Sequence, residues 1–175
     1  MSEPTVRVVE PHAFGTVMPA LADILVDCVA GGASVSFMAP FTTADATAFW
    51  GRIAEAAAAG TVSVLVAEVD GVACGTVQIA SDLPPNQPHR ADIRKLLVHR
   101  RAREQGVGRA LMVAAEREAA RLGKSLLCLD TASDAAERLY TRLGWTRVGV
   151  IPDYALLPEG GLCDTIIFYK RIATP

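Results

Sequence analysis

The chain has 175 residues, 51% of them hydrophobic and 21% charged. That is enough to bury the core of one domain over residues 1–175 and too apolar for a disordered chain. With 17 Lys and Arg against 19 Asp and Glu the formal net charge is −2, which argues against general nucleic-acid binding, and no run approaches the roughly 18 consecutive apolar residues of a membrane span.

The N-terminal Met1-Ser2-Glu3-Pro4 lacks the basic start and apolar block of a secretory signal. The four cysteines, Cys28, Cys74, Cys128 and Cys163, are widely spaced in mostly apolar runs. They read as buried thiols in a reducing compartment, so a cytoplasmic location is expected.

In chain order, Thr5 to Glu10 alternates Val6 and Val8 with Arg7 and predicts a short strand closed by Pro11. Val17, Leu21, Leu25 and Cys28 recur at helical spacing from Phe14 to Val29, and Gly31-Gly32 stops that helix. The apolar, Gly-rich loop Gly31 to Phe41 leads to a second helix, Thr43 to Ala59, ended by Gly60. Asp70-Gly71 between two Val-rich runs, Val62–Val69 and Val72–Ile79, is a strong hairpin signal. After a loop with Pro84, Pro85 and Pro88 come a strand from Ala91 to Val98, a helix from Gly106 to Leu122 and a buried strand from Leu126 to Leu129. A helix from Ala135 to Leu143 and two closing strands, Trp145–Ile151 and Thr165–Lys170, complete the order, with Asp153 to Asp164 expected as a loop. The strand–helix–strand unit from Ala91 to Asp130 requires a parallel pair, whereas the front half is an antiparallel meander. The expected class is therefore α/β, a mixed, mostly antiparallel central sheet with helices on both faces.

The most informative stretch runs Arg100-Arg101-Ala102-Arg103-Glu104-Gln105-Gly106-Val107-Gly108-Arg109-Ala110. Its glycines fall at a helix start, where free backbone N–H groups and the positive end of the helix dipole suit a pyrophosphate. Gly106 and Gly108, lacking Cβ, let a ligand approach the backbone. From Arg90 to Arg109 seven basic residues face two acids, Asp92 and Glu104, an excess of five in an acidic chain. The loop is not a Walker motif, because Arg109-Ala110 stands where Lys-Ser/Thr would be, and Leu111 replaces the third glycine of a dinucleotide fingerprint. A solvated basic turn whose glycines only cap a helix is the plain alternative.

Arg103-x-x-Gly106-x-Gly108 resembles the acetyl-CoA signature of the GCN5-related N-acetyltransferases (GNATs). Ser133-x-x-Ala136-x-x-Leu139-Tyr140-x-x-x-Gly144-Trp145 is similar to that family's second signature, with Ser133 in place of its usual Asn. A closer likeness, to the tabtoxin-resistance branch, rests on Gly31 to Met38, Leu129-Asp130-Thr131, Tyr140, Thr146 to Gly149, and the closing loop with Pro152, Tyr154, Pro158 and Gly160. The resemblance implies a GNAT fold with a splayed parallel strand pair and acetyl-CoA as co-substrate. It implies acetyl transfer to a primary amine of a small, amino-acid-like acceptor, with tabtoxin-like antibiotic detoxification as one specific case. Acetylation of a protein N-terminus or lysine, and a catalytically silent acetyl-CoA-binding module, are the alternatives.

On that reading acetyl-CoA is held by Arg103, Glu104, Gln105, Gly106, Val107, Gly108, Arg109 and Ala110, by Ser133 and Ala136, and by the backbone at Leu97 and Val98, which supplies the oxyanion donor. Tyr140 stands where the family's thiolate-protonating tyrosine does, its phenol pKa of ~10 near enough to a thiol's to exchange a proton; a core tyrosine is the other reading. Asp130, at the carboxyl end of a strand expected to be parallel, and Asp92, early in the neighbouring strand, would form an acidic pair flanking the acyl centre that steers the amine and takes its proton. Asp130 also suits helix capping, through the capping-box pattern Thr131-x-x-Asp134. Phe37 and Tyr154 either wall the acceptor site or belong to a packed lid. His12, His89 and His99 have no ligand-spaced partners, so no metal is expected. The partner is a small-molecule amine, with neither nucleic acid nor membrane expected and the oligomeric state open.

Overall fold

The computed structural model describes residues 2–173. At the Asp-Gly turn Asp70 and Gly71 take φ of 52° and 76°, the left-handed pair of a tight hairpin. That turn folds β2 (Val62–Val69) onto β3 (Val72–Ala80). Around this hairpin the chain builds one seven-stranded sheet in the order β1-β2-β3-β4-β5-β7-β6, with β1 at Thr5–Val8, β4 at Arg90–Val98, β5 at Leu126–Thr131, β6 at Thr146–Leu156 and β7 at Leu162–Arg171. Every neighbouring pair is antiparallel except β4 and β5. The mixed sheet and its single parallel pair agree with the sequence reading.

Helices α1 (Phe14–Ala30) and α2 (Thr43–Ala58) lie on one face and α3 (Val107–Arg121) on the other. Leu21, Ile24 and Leu25 of α1 join Trp50 of α2 and Val64 and Val66 of β2 in one buried cluster. Leu111, Met112 and Ala115 of α3 join Leu65, Val77, Ile79 and Leu127 in the other, against which Tyr140 of α4 (Asp134–Arg142) also packs. The helical run Pro11–Ala30 is long and apolar enough to cross a membrane by length and composition. Here its apolar stripe is the core of the α1/α2 face. Gly75 sets how near α3 can come: a Cβ there would meet Val107 Cγ1 at 2.8 Å and the Leu97 carbonyl at 3.1 Å. Only glycine lets the start of α3 rest against β3, and that contact places the helix N-terminus at the sheet edge.

The last two strands differ from expectation. Asp153 to Asp164 is largely strand, because β6 runs through Pro152 to Leu156 and β7 starts at Leu162. Proline has no N–H to give a ladder, yet β6 is the edge strand and its register shifts between Ile151 and Ala155, so no bond is forfeited.

Candidate active site

The parallel pairing of β4 and β5 covers only Arg90↔Leu126, Ala91↔Leu127 and Asp92↔Cys128. Beyond Asp92 the strands part, while β4 stays paired with β3 and β5 with β7. A cleft of about 1630 Å³ opens at this fork, running from the α3 N-terminus to the β6–β7 hairpin. A bulge in β4 shapes its wall. Thr76↔Leu97 is followed by Gln78↔Arg94, so β4 carries one residue more than β3, and Lys95 sits at φ 53°. In a regular strand Ile93 and Leu97 would share a face; here Ile93 joins the α3 cluster and Leu97 the α1/α2 cluster.

At the donor end, α3 begins at the left-handed Gly106 (φ 80°), and its first ladder bond runs from the Ala110 N–H to the Gly106 carbonyl. The N–H groups of Val107, Gly108 and Arg109 therefore lack ladder partners. Gly108 lines the cleft, and a Cβ there would meet Leu139 Cδ2 at 3.3 Å. The basic residues divide by use. Arg90 and Arg94 pair with Asp92, Arg100 with Asp27, and Arg101 with Asp23 at 3.3 Å. Lys95, Arg103 and Arg109 have no carboxylate partner among the described residues, and all three line the cleft. Four of the seven basic residues are thus held in ion pairs, and the other three face the cavity. Free N–H groups, a glycine-lined backbone and the unpaired cations Arg103 and Arg109 fit the pyrophosphate of acetyl-CoA.

Of the residues expected at the donor, Leu97, Val98, Arg103, Glu104, Gly106, Val107, Gly108, Arg109, Ser133 and Ala136 all line the cleft, whereas Gln105 and Ala110 do not. The Gln105 amide instead donates to the Arg101 carbonyl at 2.9 Å. Ser133 is the N-cap of α4, its hydroxyl accepting from the Ala136 N–H at 3.3 Å.

Asp130 lines the cleft at the end of β5 and accepts a hydrogen bond from the Thr165 hydroxyl at 2.7 Å. With Ser133 in the cap position, Asp130 is free of that duty. Tyr140 also lines the cleft, 4% exposed, with its ring packed on Trp145 and Phe168. Burial, together with the charge of Asp130, pushes its phenol well above the ordinary tyrosine range. The match to a thiol expected from an unperturbed phenol is therefore absent in the free protein.

Asp92 is placed elsewhere. It lies in the paired part of β4 opposite Cys128, outside the cleft lining, with Arg90 at 3.3 Å and Arg94 at 3.1 Å. The expected acidic pair is not assembled at the fork, because Asp92 precedes the point where the strands separate.

The opposite end of the cleft is covered by residues 31–41 and the β6–β7 hairpin. The Ser34 hydroxyl donates to the Leu156 carbonyl at 3.2 Å, and the Ala39 N–H to the Pro158 carbonyl at 2.8 Å. Phe37 lines the cleft, wedged between Phe41 and Phe49 at centroid distances of 4.6 and 5.1 Å. Tyr154 lines it from β6 and is 54% exposed. Lys95, which the sequence did not single out, enters from the bulge. Its ammonium donates to the Ser36 hydroxyl at 3.0 Å and lies 5.6 Å from the centre of the Phe37 ring. A lysine between Arg94 and Leu96 carries no signal of its own; the left-handed residue that aims it is visible only in the register.

The acetyltransferase (GNAT) family model matches residues 22–145. Among solved structures, the chain is similar to an N-acetyltransferase from Staphylococcus aureus (TM-score 0.80, 17% identity, covering 97% of this chain and 99% of that one). It is similar to a ribosomal-protein-alanine N-acetyltransferase from Brucella melitensis (TM-score 0.78, 22% identity, 96% and 99% covered). A phosphinothricin acetyltransferase from Sinorhizobium meliloti in complex with acetyl-CoA also aligns (TM-score 0.80, 16% identity, 98% and 90% covered). The family match over most of the chain agrees with the forked parallel pair and the glycine-rich helix start: the chain belongs to the GNAT family and is an acetyl-CoA-dependent N-acetyltransferase.

Proposed function

We propose that the protein moves an acetyl group from acetyl-CoA to the primary amine of a small, amino-acid-like acceptor. The observation that carries this reading is the roof of the cleft. Residues 31–41 and the β6–β7 hairpin are hydrogen-bonded across the acceptor end, which favours a small molecule over a protein tail. The similar structures do not separate these acceptors, since one is named for phosphinothricin and another for a ribosomal protein. Detoxification of a tabtoxin-like amino acid is a specific case supported only by the sequence resemblance. Four free thiols, two of them buried, support a reducing, cytoplasmic setting.

Arg103, Arg109 and the free N–H groups of α3 hold the pyrophosphate, and the β4 backbone at Leu97 and Val98 faces the acyl oxygen. Bound acetyl-CoA supplies a thioester carbonyl that a neutral amine attacks with loss of thiolate. Asp130, oriented by Thr165, attracts the acceptor's ammonium and takes its proton directly or through water. Tyr140 returns a proton to the departing sulfur, and an ammonium beside Asp130 offsets part of the charge that raises the phenol. Asp92, held by its two arginines, has no part in the transfer. Thiol release from acetyl-CoA across a panel of amino acids, polyamines and peptides tests the reading; turnover confined to peptides would replace it with protein acetylation.

A further inference from the structure

We propose that Lys95 is the anchor for the acceptor's carboxylate, so that the cleft selects α-amino acids and related zwitterions by binding both of their charges. The inference rests on the amino-acid-like acceptor proposed above and adds the group that would recognise it. A half-buried lysine is costly to keep without a counter-charge, and such groups are normally paired. Lys95 has no carboxylate within ion-pair distance among the described residues, whereas its neighbour Arg94 has two, Asp92 and Asp82. Its present partners, the Ser36 hydroxyl and the face of Phe37, hold the ammonium in place without neutralising it.

The backbone is arranged for this position. Lys95 and Ser36 are both non-glycine residues in the left-handed region, at φ 53° and 79°, and they meet each other across the cleft. Such conformations cost free energy and persist where the surrounding structure fixes them. The bulge aims the lysine into the cavity, and the lid residue opposite supplies its hydrogen-bond acceptor. Asp130 lines the same cavity near enough for its charge to act on the ammonium. Burial and the charge of Arg94 push that ammonium's pKa down while Asp130 opposes them, as expected of a cation short of anionic company. One carboxylate and one ammonium in a roofed cleft match a zwitterion whose amine turns to Asp130 and whose carboxylate turns to Lys95. An incoming carboxylate would give Lys95 the charged partner it lacks.

The test uses the full-length protein with acetyl-CoA and a panel of α-amino acids, each paired with its own carboxamide. For the best acceptor, the wild type should prefer the acid over the amide by roughly 10- to 100-fold in kcat/KM. Lys95→Met should erase that preference by raising KM for the acid, leaving kcat and the acetyl-CoA affinity nearly unchanged; Lys95→Arg should restore part of it. Equal losses for acid and amide in Lys95→Met would reduce the lysine to a structural prop while the small-acceptor reading stands. A wild type that takes both alike would overturn the anchor even if Lys95→Met fails to fold. If no panel member is acetylated but peptides are, the small-acceptor reading falls and the carboxylate anchor with it.

Discussion

The two walls of the cleft are built on different principles. The donor wall is local: one loop and the first turn of α3 supply the glycines, the free N–H groups and two of the unpaired cations within seven residues, Arg103 to Arg109. The acceptor wall is assembled from distant pieces: a lid at 31–41, the bulge at Lys95, Asp130 at the end of β5 and the β6–β7 hairpin. A ligand common to a family can be bound by a contiguous motif, because its recognition need not change. A variable ligand is better met by separate segments that can change independently.

That contrast predicts that the donor wall breaks at Gly108. Gly108→Asp puts a carboxylate beside the free N–H groups and a Cβ within 3.3 Å of Leu139, so acetyl-CoA affinity should fall on the order of 100-fold or more in calorimetry. Gly108→Ala separates the causes, since it adds the Cβ without the charge and Leu139 need yield only a few tenths of an ångström; its loss should be several-fold at most. Unchanged affinity in a folded Gly108→Asp protein would remove the pyrophosphate from this loop. On the opposite wall, Asp130→Asn should leave the acetyl-CoA Kd intact and lower kcat/KM for the amine by roughly 10³-fold, because it loses both an ion-pair partner and a proton acceptor. Normal turnover would leave Asp130 as no more than the partner of Thr165.

The same division decides what was legible in the sequence. The helix starts, the Asp70-Gly71 hairpin and the antiparallel front half follow from periodicity and turn chemistry, which act over a few residues. Gly106, Gly108 and Tyr140, which all line the cleft, are legible in the sequence because each belongs to a short motif. The count of basic residues was right in total but indiscriminate: the carboxylates that neutralise Arg100 and Arg101 lie on α1, more than 70 positions away. Asp92 was misplaced by its strand. Being on β4 put it beside Asp130 in principle, but it stands before the fork, and the sequence carries no mark of where pairing stops. Lys95 was missed for the converse reason, since a one-residue bulge is a property of two strands in register. Pro152 looked like the end of a strand because nothing local announced that β6 would be an edge.

Tyr140 should give a smaller effect than Asp130. Phenylalanine keeps the contacts with Trp145 and Phe168, so melting should barely change. With its pKa raised, the phenol is a weaker acid than free tyrosine and stays protonated throughout the working range. Its loss should cost about 10²-fold in kcat, the bottom of the usual range for general acid catalysis. The wild type should also show no fall in rate from phenol ionisation up to about pH 10. Wild-type kcat in Tyr140→Phe would return the residue to the core.

The smallest effect concerns the joint between the walls. Asp27, near the end of α1 where the lid begins, accepts from the Arg100 backbone N–H at 2.8 Å and from the Arg100 guanidinium, tying α1 to the segment that leads into the donor loop. Burial works against its charge, but the bonds from Arg100 and the neighbouring His99 outweigh that, and its pKa lies below the ordinary 3.8. A carboxylate whose pKa is depressed by folding stabilises the native state above the unfolded value, and that contribution disappears as pH falls through the folded one. Asp27→Asn keeps the shape and removes the charge. Because Arg100 is 58% exposed, solvent screening holds the expected loss at pH 7 on the order of 1 kcal/mol. The gap between wild type and variant should be constant in urea melts from pH 7 to about 5 and should narrow below about pH 4. A gap that widens in acid would mean that burial, not Arg100, governs Asp27, and that the ion pair contributes nothing to joining the two walls.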